Sequence, residues 1–109
     1  MEYMMIVCGP ETVDPDPGVV ADSIAWMEEM NARGVRKLGS RLRPTSSATT
    51  LRDDHGRVLV SDGPFAETKE QILGFDLLEC ADLDEAIEVA GKHPWLKYGS
   101  IEVRPLWPI

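Results

Sequence analysis

The chain has 109 residues, a formal charge of -8 and an apolar fraction of 43%, which leaves room for one domain (residues 1–109) built on one core. Nineteen acidic against eleven basic residues, spread along the chain without an acidic tail, would repel a phosphate backbone and exclude nucleic acid as a partner. Two cysteines without regular spacing argue against a disulfide framework or a thiolate metal site. No basic start leads into a long apolar run, so neither a signal peptide nor a membrane span is expected, and the default compartment is the cytoplasm.

In chain order, residues 2–8 (EYMMIVC) are apolar on both alternating faces, the pattern of a central strand covered on both sides. Gly9 and Pro10 end it, and a turn-rich loop runs to Gly18. From Val19 the period changes to that of a helix, with Val20, Ile24 and Met27 on one stripe and Val19, Ser23, Trp26 and Met30 on its neighbour. Gly34, after Arg33, closes it. Val35 to Leu42 reads as a strand and Pro44 to Ser47 as a loop. Two β-prone runs, Ala48 to Arg52 and Arg57 to Ser61, flank Asp53-Asp54-His55-Gly56 and predict a hairpin. Gln71 to Cys80 is a further apolar strand. Asp82 and Glu85 form a capping-box pattern before a helix with the stripe Leu83, Ala86, Ile87, Ala90, which stops near Gly91 and Pro94. Ser100 to Arg104 alternates as a last strand.

The order is β-α-β, an inserted hairpin, then β-α-β. It predicts an α+β domain of the ferredoxin-like, split βαβ type, an antiparallel sheet with two helices on one face. The apolar residues on the second face of the first strand then need a cover. A second copy in a two-fold homodimer is the economical one. No nucleotide, zinc-protease or nucleophile-elbow motif is present, and neither histidine has a carboxylate or thiol at ligand spacing, so no metal and no cofactor are expected.

Ser61 to Phe75 (SDGPFAETKEQILGF), with DLDEAIEVA and GSIEVRPL downstream, resembles the DGPF group of the YCII-related family over nearly the whole chain. The resemblance implies a dimeric ferredoxin-like α+β barrel. It also implies small-molecule chemistry, since some YCII-related proteins are similar to lyases such as a chlorinated-hydroquinone dehydrochlorinase. The family pattern pairs an Asp with a His on the first helix. Here the first helix has no His, so the pair does not carry over. DGPF proteins also resemble products encoded beside alternative sigma factors, which implies as the alternative a non-catalytic accessory or regulatory protein.

Among single residues, Asp62 is either a turn acceptor ahead of Gly63 or a general base. Phe65 is expected to pack inward as an anchor. Asp76 interrupts an apolar strand and requires a partner. Alternation places it with Ile72, Gly74 and Leu78, opposite a helix-facing set of Leu73, Phe75 and Leu77, and Arg104 is the candidate partner. His93 is a helix-end cap or an acid-base group, and His55 an exposed turn residue. Trp95 and Tyr98 line a pocket or act as interface wedges. The basic cluster Arg33, Arg36, Lys37, Arg41, Arg43 reads as a helix end followed by a solvated strand. A small-molecule pocket is therefore expected around Asp62, Phe65, Asp76, Tyr98 and Arg104.

Overall fold

The computed structural model describes residues 1–108. Six strands and two helices follow one another as β1 (Glu2–Gly9), α1 (Pro17–Ala32), β2 (Arg36–Arg41), β3 (Thr49–Asp54), β4 (Arg57–Asp62), β5 (Gln71–Glu79), α2 (Leu83–Gly91) and β6 (Ser100–Pro105). Short 3-10 turns lie at Thr45–Ser47 and Pro94–Lys97. Four strands form an antiparallel sheet in the order β2-β5-β1-β6, and β3 and β4 make a separate two-stranded ribbon. This is the predicted ferredoxin-like order with its inserted hairpin. No described helix is long and apolar enough to cross a membrane.

Local chemistry explains the ends of α1. Asp16 accepts a hydrogen bond from Val19 N at 2.9 Å and Pro17 opens the first turn, so the helix starts two residues before the apolar period does. At its other end Gly34 has φ +76°, with Gly34 N donating to Asn31 O and Val35 N to Met30 O. That is a Schellman termination, which needs the left-handed conformation glycine adopts freely. α2 is capped by Asp82, which accepts from Glu85 N, while the Glu85 carboxylate reaches back to Ala81 N. The β3-β4 turn has φ +51° at His55 and +86° at Gly56, the two positive angles of a type I′ hairpin.

Both helices pack on one face of the sheet. Tyr3, Met5 and Val7 of β1 and Leu78 of β5 meet Trp26 and Met30 of α1 and Ala86, Val89 and Ala90 of α2. On α1 the buried stripe is Val19, Trp26 and Met30, while Val20 and Ile24 stay about half exposed. On α2 Val89 is buried, whereas Leu83 and Ile87 of the expected stripe are about half exposed. Met4, Ile6 and Cys8 of β1 share the other face with Phe75 and Leu77 of β5, and none of them is fully covered. The smallest dimension of the molecule, 19 Å, corresponds to one sheet and one layer of helices, each about 10 Å thick.

The strand phase of β5 is the reverse of the expected one. Asp76 and Leu78 point to the helices, opposite Met5 and Tyr3, and Phe75 and Leu77 lie on the open face. Leu73 has no partner between the pairs Val7–Gly74 and Cys8–Ile72, a bulge that interrupts the alternation of β5 ahead of Gly74. Alternation gives the period of a strand and not its phase; here both faces are apolar, and the phase follows from the partner that Asp76 finds beneath α1. The hairpin stands away from the sheet, with Leu51, Val58 and Val60 each more than 60% exposed. The radius of gyration, 15.7 Å, accordingly exceeds the about 13 Å of a compact chain of this length.

Candidate functional site

β2 turns arginines, not apolar side chains, toward α1. A bulge between Arg36 and Leu38 aligns Gly39 with Asp76 and Arg41 with Gly74, so Arg36, Gly39 and Arg41 share the helix side of this edge strand. The space between α1 and the β2-β5 half of the sheet is consequently unfilled. It is a cavity of about 710 Å³, lined among others by Trp26, Met27, Arg36, Asp76, His93 and Trp95. Its size is in the range of small-molecule sites, about 300–1,000 Å³.

Two titratable groups on its walls are displaced from their ordinary behaviour. Asp76 is 7% exposed and accepts a hydrogen bond from Arg36 Nε on Oδ1 at 2.7 Å. Burial pushes its carboxyl up, and the Arg36 guanidinium only partly opposes this. Arg36 is itself oriented by Asn31 Oδ1 at 3.1 Å. Gly39 makes room for the pair, because a Cβ there would overlap Asp76 Oδ1 and lie 2.6 Å from Phe75 O. His93, 9% exposed, stands edge-on to Trp26 with ring centroids 4.7 Å apart, and burial lowers its pKa to about 4. Its Nδ1 accepts from Trp95 N at 3.2 Å, which leaves the proton of the neutral ring on Nε2. No fully buried side-chain nitrogen or oxygen lacks a hydrogen-bond partner among the described residues. Asp76 Oδ2 and His93 Nε2 have no protein partner among the described residues and are therefore not fully buried, and both residues line the cavity.

The YCII-related domain matches residues 1–109 of this sequence. The chain belongs to the YCII-related family. It is 46% identical to an uncharacterised protein of Rhizobium meliloti (strain 1021), over 75% of this chain and 80% of that one. Its fold is similar to that of a 5-chloro-2-hydroxyhydroquinone dehydrochlorinase from Burkholderia phenoliruptrix AC1100, solved in complex with 2,5-dihydroxybenzoquinone. The TM-score is 0.53 at 15% identity, covering 98% of this chain and 94% of the other.

Of the residues expected to act as acid-base groups or to line a pocket in this YCII-related sequence, the cavity brings together Asp76, His93 and Trp95. Asp62, Phe65, Tyr98 and Arg104 lie elsewhere. Asp62 ends β4 with its side chain exposed, and Gly63 takes φ +104°, as a turn glycine does. Phe65 is 67% exposed and anchors nothing, because the hairpin it follows does not rest on the sheet. Tyr98 is outside the cavity, its hydroxyl 3.3 Å from Asp16 Oδ2 and its ring edge-on to Trp95, where it braces the start of α1. Arg104 lies opposite Met4 on the open face and pairs with Glu102. It cannot reach Asp76 across the sheet, so the expected Asp76–Arg104 pair is replaced by Asp76–Arg36. Arg36 was legible only as part of a basic cluster. An aspartate interrupting the apolar pattern of β5 and an arginine on the polar strand β2 were the signal that would have paired them.

Proposed function

We propose that this YCII-related protein binds and transforms a small molecule in the cavity between α1 and β2-β5, with Asp76 and His93 as its proton-handling groups. The observation that carries this is that a half-satisfied carboxylate and a neutral imidazole, from separate elements, line one cavity. The fold likeness to a dehydrochlorinase solved in complex with a small quinone supports the small-molecule reading. α1 contributes no histidine to the cavity, but the segment after α2 brings His93 against Trp26 of α1, so an imidazole reaches the site by a different route. In this scheme Asp76 Oδ2 accepts a proton from the substrate, and His93 Nε2–H donates a hydrogen bond to the substrate oxygen on which negative charge collects.

The same proposal takes the homodimer as the working unit. Met4, Ile6, Phe75 and Leu77 leave an apolar strip on the open sheet face. A two-stranded ribbon alone is marginally stable in water, and Leu51, Val58 and Val60 of the hairpin have no cover. A second copy supplies both. Sedimentation at micromolar concentration is expected to give a dimer, and a monomer would refute this part.

Thermal stabilisation by a panel of small aromatic and aliphatic metabolites tests the cavity reading against that of a non-catalytic accessory protein. Ser23 lines the cavity from α1, and Ser23→Phe fills it. Stabilising compounds should lose their effect in this variant, judged folded by circular dichroism. Where a compound is turned over, Asp76→Asn and His93→Asn should each slow it by about 10²-fold or more. A panel without a single stabilising compound, or stabilisation that survives Ser23→Phe, counts against the cavity.

A further inference from the structure

Five cations crowd residues 33–43 in a chain of charge -8, and the fold separates them by role. Arg33 forms a two-pronged pair with Glu88, at 3.2 and 3.1 Å. Lys37 lies 4.0 Å from both Glu2 and Glu79 on the surface. Arg36 is engaged by Asp76 and Asn31. Arg41 and Arg43 have no carboxylate partner among the described residues, and both line the cavity.

We infer that the cavity takes a small organic anion with an apolar body, its carboxylate or phenolate held by the guanidiniums of Arg41 and Arg43. This deepens the cavity reading above and rests on it. Three observations converge. Arg41 is aligned with Gly74 on the helix side of the sheet, the side on which it lines the cavity together with Arg36 and Arg43. The carboxylates on the same walls are already committed. Asp76 is held by Arg36, while Glu11 accepts from Thr45 N at 2.8 Å and from the Thr45 hydroxyl, which keeps it below the usual carboxylate range. Three guanidiniums therefore face two engaged carboxylates, and the excess is positive in an otherwise acidic protein. Finally, Val20, Ile24, Met27, Ile72 and Trp95 line the rest of the cavity, which suits an apolar body and not a bare inorganic ion. Arginine forks match the planar carboxylate in particular.

The test is a two-dimensional NMR titration of the protein with 2-naphthoate, its neutral isostere 2-naphthamide, and inorganic phosphate. The indole N–H signals of Trp26 and Trp95 report the cavity. Naphthoate should shift them and bind about tenfold or more tighter than naphthamide, with phosphate weaker than naphthoate. Arg41→Gln with Arg43→Gln should remove that preference, whereas Arg57→Gln at the hairpin end should leave it intact. Equal binding of naphthoate and naphthamide, or a preference that survives the double substitution, overturns the anion assignment while leaving a working cavity. Phosphate binding as tight as naphthoate overturns the apolar-body part. No indole shift with any of the three at millimolar concentration overturns the cavity reading itself, and the anion assignment with it.

Discussion

His93 makes the stability of this protein depend on pH in a way that a single substitution isolates. Its imidazole has a pKa of about 4 in the fold, against an ordinary 6.5, because burial beside Trp26 disfavours the cation. Between these values the unfolded chain binds the extra proton. The stabilisation is therefore complete above pH 6.5 and lost as pH falls toward 4. Linkage over that interval amounts to about 2.5 kcal/mol at pH 4.5, and roughly 2 kcal/mol after allowance for the solvent contact that Nε2 keeps. For a domain of this size that is a melting shift of about 8–16 °C. Asp76 works in the opposite sense: its folded pKa is raised, so its contribution is full at low pH and lost as pH rises through the folded value. His93→Asn keeps an acceptor for Trp95 N and removes the titration. Urea unfolding of both proteins at pH 7.5 and 4.5, at one protein concentration, should show a wild-type loss about 2 kcal/mol larger than that of the variant, with the Asp76 effect common to both. Equal losses, or an imidazole that titrates near 6.5 by NMR, would refute the reasoning.

Gly39→Ala should lower stability by about 1–3 kcal/mol, since the new methyl would stand 2.8 Å from Arg36 Nη2 and overlap Asp76 Oδ1; an unchanged urea midpoint would show that the pair has slack. Arg36→Met should cost about 3–5 kcal/mol at pH 7, because it strands a buried carboxylate, and less at pH 4. Adding Asp76→Leu should restore most of it. If the double variant is as unstable as the single one, the pair is not what couples β2 to β5.

Much of this fold is written in short-range chemistry. The two-sided strand at residues 2–8, the Gly34 stop, the His55-Gly56 turn and the Asp82 cap each follow from the conformational limits of a few neighbouring residues, and their order alone yields the ferredoxin-like topology. The DGPF segment with its flanks identified the family on the same local grounds. The site was less legible. Asp62 and Phe65 stood out because they sit in a distinctive motif, and they lie by an outlying hairpin, while Arg36, Asp76 and His93 are far apart in sequence and come to line one cavity only in three dimensions.

What the sequence determined by itself was therefore the elements, their order and the family, together with the need of Asp76 for a partner. Tertiary structure alone decided which face of β5 points inward, and hence that the partner is Arg36 and not Arg104. The reason is physical. A period of two is unchanged when a strand is turned over, so a strand apolar on both sides carries no label for its inner face. That label comes from a bulge in β5 at Leu73, a bulge in β2 at Lys37 and the room that Gly39 leaves for Asp76, none of which exists until the strands are paired.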